Sequence, residues 1–123
     1  MAQNPIENLC LSYGEGSTAV LQAYCYDANG DTEVPTSLTW KFMDEDGNYI
    51  NSRDGETETP ADPTLITLTE TDLAISAAER AVLVAHDWQY IIRCLDVTIV
   101  GSTRTFHIQR MIHVEKLLQP VTP

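Results

Sequence analysis

Positive charge is scarce in this chain. Seven Lys and Arg stand against 18 Asp and Glu in 123 residues, a formal net charge of −11. Each phosphate contact with nucleic acid needs a cation, so that function is disfavoured. Peripheral attachment to an anionic membrane is disfavoured for the same reason. Long apolar runs are missing as well: nothing approaches the roughly 18 residues of a membrane span. The opening residues, Met1-Ala2-Gln3-Asn4-Pro5-Ile6-Glu7, have neither the cationic region nor the apolar stretch of a secretory signal. Residence in a cytosol is therefore expected.

Cysteine is sparse and odd in number: Cys10, Cys25 and Cys94. No CxxC or Cys/His ligand spacing occurs, so no metal site is expected. Cys25, Trp40 and Cys94 follow the Cys…Trp…Cys order of immunoglobulin domains, but Ile92 stands where a tyrosine belongs. Cys25 and Cys94 are expected to point inward from facing strands as free thiols, since cytosolic disulfides are rare.

Catalytic motifs are also missing. Gly14-Glu15-Gly16-Ser17 lacks the G-x-S-x-G order of a nucleophile elbow. The three histidines are His86, His107 and His113. The last two sit about 20 Å apart on an extended strand, too far for one metal. Asp27, Asn29, Asp31 and Glu33 alternate oxygens as calcium ligands do, but Thr32 and Leu38 occupy the glycine and glutamate positions of an EF-hand. An acidic hairpin is expected there, and a solvated turn at Asp44-Glu45-Asp46. Neither an enzyme nor a cofactor is expected.

What the chain has is period-2 patterning. Phe106, Ile108, Arg110, Ile112 and Val114 alternate with Thr105, His107, Gln109, Met111 and His113. Ala19, Leu21, Ala23 and Cys25 form a second such face, and Leu38, Trp40 and Phe42 a third. This is the period of strands with one buried face. Strands are expected over 8–13, 18–26, 37–43, 49–52, 64–69, 87–98 and 103–114. Asn29-Gly30 and Gly47-Asn48 mark turns. Residues 53–63 read as a solvated loop. Ser76 with Glu79 three residues on is a capping box, so 70–85 reads as a helical crossover. Seven strands at about ten-residue spacing predict an all-β, immunoglobulin-like β-sandwich in a single domain over 1–123. The competitor is a small barrel or jelly roll. Residues 117–123 read as an apolar C-terminal arm stopped by prolines.

The charge is unevenly placed. Residues 27–87 carry 14 acids and only Lys41, Arg53 and Arg80; residues 93–116 carry Arg93, Arg104, Arg110 and Lys116 against Asp96 and Glu115. Such asymmetry suits a subunit that docks in one orientation.

Tyr26-Asp27-Ala28-Asn29-Gly30 followed by Val34-Pro35-Thr36-Ser37-Leu38-Thr39-Trp40 resembles an opening found in small structural proteins of tailed phages and prophages. Pro63-Thr64-Leu65-Ile66-Thr67-Leu68-Thr69 before a short helical piece, and a closing hairpin over 91–114, extend the resemblance. It spans residues 20–114, with a longer 70–87 crossover than the family pattern. It implies a bacteriophage virion protein, a capsid decoration (cement) or head–tail interface subunit, acting by docking and without chemistry. Its partners would be other capsid, portal or tail subunits and further copies of itself, in the virion and in the host cytoplasm during assembly. Contacts are expected from Arg104, His107, Gln109, Arg110, Met111, His113, Leu117 and Leu118. The alternative is a carbohydrate- or cell-surface-binding immunoglobulin-like module of adhesin or tail type. A small hydrolase would require Ser, His and Asp to cluster in the fold.

Overall fold

A computed structural model describes residues 5–117. Among them ten strands and one helix make a mostly β fold: a three-stranded and a five-stranded sheet share one core, and two short strands pair as a separate ribbon. In chain order the strands are β1 (Ile6–Glu7), β2 (Ser12–Gly14), β3 (Ala19–Ala23), β4 (Cys25–Tyr26), β5 (Thr32–Glu33), β6 (Ser37–Asp44), β7 (Glu56–Thr57) and β8 (Thr64–Leu68). Helix α1 (Ala77–His86) precedes β9 (Tyr90–Val100) and β10 (Thr105–Glu115).

The alternating positions do what their period demands. Leu21 and Ala23 of β3 and Ile66 and Leu68 of β8 are buried on the three-stranded sheet β1-β3-β8. Leu38, Trp40 and Phe42 of β6, Leu95, Val97 and Ile99 of β9, and Ile108, Ile112 and Val114 of β10 are buried on the five-stranded sheet β2-β10-β9-β6-β7. Together they form one apolar cluster, at roughly 1.5–3 kcal/mol for each large side chain buried. All pairings are antiparallel except β2 with β10, which is parallel.

Several expected boundaries move, each for a local reason. The strand expected over 8–13 is two short ones on different sheets. Asn8 adopts left-handed φ of 65° and redirects the chain between them. Leu11 is consequently 73% exposed, while Leu9 and Tyr13 are half-buried against the core. The strand expected over 18–26 breaks at Tyr24, whose amide donates to the Pro5 carbonyl. Residues 49–52 make a single bridge, Tyr49 to Met43, before Asn51 and Ser52 turn left-handed.

The 53–63 segment is not simply solvated, because Glu56–Thr57 pairs with β6 and Arg53 is anchored in the interior. The helix is shorter than 70–85, since Asp72 folds residues 69–72 into a turn by accepting from the Thr69 amide and hydroxyl. Its capping box is present at Ser76 and Glu79, and Asp87 ends it in the left-handed conformation. That cap delays the next strand from 87 to Tyr90.

Cys94 departs from expectation on the sheet itself. Leu95 and Val97 face the core, so Cys94 faces outward with Asp96. Cys25 is buried, and a Cβ built on Gly101 would lie 2.6 Å from its Sγ. Gly101 is seven residues beyond Cys94, roughly 23 Å along an extended chain. The two thiols are free and on different sides of the sheet.

Candidate functional site

Strands β6, β9 and β10 run in register, so their outward side chains form rows. The rows are Thr39–Thr98–His107, Lys41–Asp96–Gln109 and Met43–Cys94–Met111, then Ile92 beside His113. Asp96 ties two rows together: its Oδ1 lies 2.9 Å from His107 Nε2, and its Oδ2 accepts from Gln109 Nε2 at 2.7 Å. The next rows are apolar and sulfur-rich. Met111 is 51% exposed, with Met43, Cys94 and Ile92 half-buried around it. Below them Tyr90 stacks on His113, the ring centroids 4.0 Å apart. Burial pushes the Cys94 thiol up, and the Asp96 carboxylate adds to it.

A cleft of about 580 Å³ lies between α1, the Asp44–Asp46 turn and the start of β9; its Asp44, Ile91 and Arg93 share the parity of the core-facing positions of β6 and β9. Val82, Leu83, Trp88 and Ile91 make its apolar lining; Asp44, Glu45, Asp46, Glu79 and Asp87 supply carboxylates. Burial pushes Asp44 up, but bonds from the Asn48 amide and side chain and the Asp46 amide hold its carboxyl below the ordinary value. Arg93 enters from the sheet, buried, with its Nη2 on the Glu79 carboxylate at 2.9 Å and its Nε unpartnered among the described residues. Trp88 is 54% exposed and stacks on His86 at 4.4 Å.

The expected contact residues divide into separate groups. His107, Gln109, Met111 and His113 share the outer face. Arg110 points the other way along β10, half-buried, and its Nη1 donates to the Gln109 carbonyl at 3.0 Å. Arg104 sits at the hairpin end, over the Phe106 ring at 4.9 Å and against the Asp27 carbonyl at 3.3 Å. Leu117 lies at the opposite end, its amide donating to Glu15 Oε1 at 2.9 Å and its carbonyl accepting from Arg80. Leu118, with the arm through residue 123, lies outside the described residues.

Sequence reading missed the buried ion pairs that hold this frame. Arg53 Nε and Nη2 clasp both oxygens of the buried Asp72 at 2.9 and 3.0 Å, and Asn51 Nδ2 adds a third side-chain donor. Burial pushes Asp72 up, yet the Arg53, Thr69 and Asn51 donors together hold it below the ordinary carboxylate range. Arg80 pairs with the buried Glu15. No motif announces these pairs, because their members are 19 and 65 positions apart.

No described group of three His, Cys, Asp or Glu side chains could hold a metal ion. Asp27 folds its own turn by accepting from the Asn29 and Asp31 amides, and the Glu33 carboxylate turns to Ser102. The histidines do not converge: His86 stands on Trp88, His107 on Asp96 and His113 on Tyr90. Comparison of the chain with protein-family models, with curated proteins and with solved structures finds no match.

Proposed function

We propose that this chain is a docking subunit of a tailed-phage virion, a capsid decoration or head–tail interface protein built on an immunoglobulin-like sandwich. The observation that carries the docking reading is the outer face of the five-stranded sheet. Its strands are long and in register, and the Met43–Cys94–Met111 row leads through Ile92 to the exposed Tyr90 and Trp88. Apolar side chains on a stiff, polar-rimmed face are what a protein partner covers. Strand order supports the immunoglobulin-like assignment: β1 beside β3 and β8 in one sheet, and β2 parallel to β10 in a second that runs through β9 to β6. The phage assignment rests on the turn and strand segments 26–40 and 63–69. On a shell of repeated sites even a small contact per copy gains by multivalency.

The test has two arms. Genes for capsid, portal or tail proteins are expected beside the coding sequence, and the purified chain should co-sediment with particles made from them. A neighbourhood of unrelated genes, or a chain left in the supernatant, contradicts the reading. Removing residues 117–123 should weaken particle association; unchanged binding would take the arm out of the interface.

A second reading is favoured by one observation. Trp88 and Tyr90 are both exposed beside a carboxylate-lined cleft, an aromatic-plus-acid arrangement that suits a sugar ring. A carbohydrate- or cell-surface-binding module of adhesin or tail type would give a saturable glycan-array signal that Trp88→Ala removes.

A further inference from the structure

Among the described residues, the edge of β10 is open for most of its length. Strand β2 pairs only with His113–Glu115. The His113 amide donates across that edge to the Leu11 carbonyl at 2.8 Å. Backbone groups alternate sides along a strand, so Met111, Gln109, His107 and Thr105 turn their N–H and C=O groups the same way. Among the described residues no neighbouring strand meets them. Among them, the Gln109 carbonyl is met only by the guanidinium of Arg110, a side chain from the same strand. The open stretch is roughly 20 Å long.

The charge along this edge differs from the rest of the molecule. From Val97 to Val114 the sequence has no carboxylate, in a chain that carries 18 of them; the Asp96 carboxylate reaches His107 and Gln109 from β9, on the outward side of the sheet. Arg104 and Arg110 lie on the same alternating side, with Phe106 and Ile108 between them. A strand laid against the edge would set its own alternate side chains beside this series. Its ends would meet guanidinium groups and its middle would meet Phe106 and Ile108.

We propose that the Thr105–Met111 edge of β10 takes up an added strand from an extended, acidic segment of a partner protein. Unpaired backbone groups specify the extended conformation, and the two arginines specify carboxylates about six residues apart. The Arg110–Gln109 bond is then a latch: a carboxylate draws the guanidinium aside and frees the carbonyl. The proposal rests on the docking reading and names the partner's chemistry.

The test uses the full chain and two synthetic peptides, acetyl-ETVTVTE-amide and acetyl-KTVTVTK-amide. Each reads the same in both directions, so parallel and antiparallel addition are both allowed. Amide exchange is followed by NMR. At about 1 mM, the acidic peptide should slow exchange at His107, Gln109 and Met111 by roughly tenfold and leave Leu21 unchanged. The lysine peptide should leave all four unchanged. The double variant Arg104→Glu, Arg110→Glu should invert the preference, with unaltered Leu21 exchange showing that it folds. No protection by the acidic peptide, or equal protection by both peptides, overturns the proposal. So does protection that rises with protein concentration alone, which would make a second copy the occupant. Particle co-sedimentation is scored separately, so a chain that binds particles but ignores the peptide refutes this inference and leaves docking standing.

Discussion

Asp72 is the residue on which the 50–72 region depends. It is fully buried, and its carboxylate is held by Arg53, Asn51 and Thr69. Replacing one partner of a buried pair strands the other, at a cost of about 3 kcal/mol. Asp72→Asn should therefore lower unfolding free energy by that order in chemical denaturation near neutral pH. The pH dependence follows from the lowered carboxyl value. Stability from this group is fully present above the unfolded-state value, about pH 3.9, and is lost as pH falls through the lower folded-state value. The gap between parent and Asp72→Asn should narrow over that acid range; a gap that widens there would contradict the assignment. The thiols allow a second check. Cys10 is exposed, whereas burial raises the Cys25 and Cys94 thiols. A thiol reagent at pH 8 should label one cysteine quickly and two slowly.

The strands differ in how far the sequence declares them. β3, β6 and β10 follow alternation that any reader of the chain can see, because each buries one face against a single core. The start of α1 is equally legible through Ser76 and Glu79. The two-residue strands β1, β4, β5 and β7 are not, since a two-residue strand has no period. Asn8 and Asp87 also escape notice, because a left-handed backbone at Asx residues leaves no pattern. On the outer face, His107, Gln109, Met111 and His113 were legible as one parity. Their neighbours Met43, Cys94 and Asp96 come from register across strands, which a single sequence does not display. Arg53 and Asp72 were hidden for the same reason.

The β9–β10 hairpin offers a test at this scale. A Cβ at Gly101 would lie 2.6 Å from the Cys25 Sγ and 3.0 Å from the Arg104 carbonyl oxygen. Gly101→Ala should destabilise by about 1–3 kcal/mol through overpacking. Adding Cys25→Ala should recover part of that loss, leaving the backbone contact. Full recovery would show that the thiol alone is crowded; no recovery would place the strain elsewhere.

At the scale of the molecule, an acidic body presents one sulfur-rich sheet face, with a carboxylate-lined cleft beside α1. The opposite sheet also exposes apolar side chains, Val20 and Leu65, each 51% accessible. They stand on the shorter three-stranded sheet, apart from the cleft. The net charge of −11 keeps free copies apart, so the docking role we propose would rely on a complementary partner and on many sites per particle. A charge placed at the centre of the docking face should break that association, and the same charge on the other face should not. Co-sedimentation of Met111→Lys and Leu65→Lys with partner particles compares the two directly. Met111→Lys should bind at least about tenfold more weakly, a loss of ~1.4 kcal/mol, with Leu65→Lys matching the parent. Parent-like binding by Met111→Lys together with loss by Leu65→Lys would contradict the account.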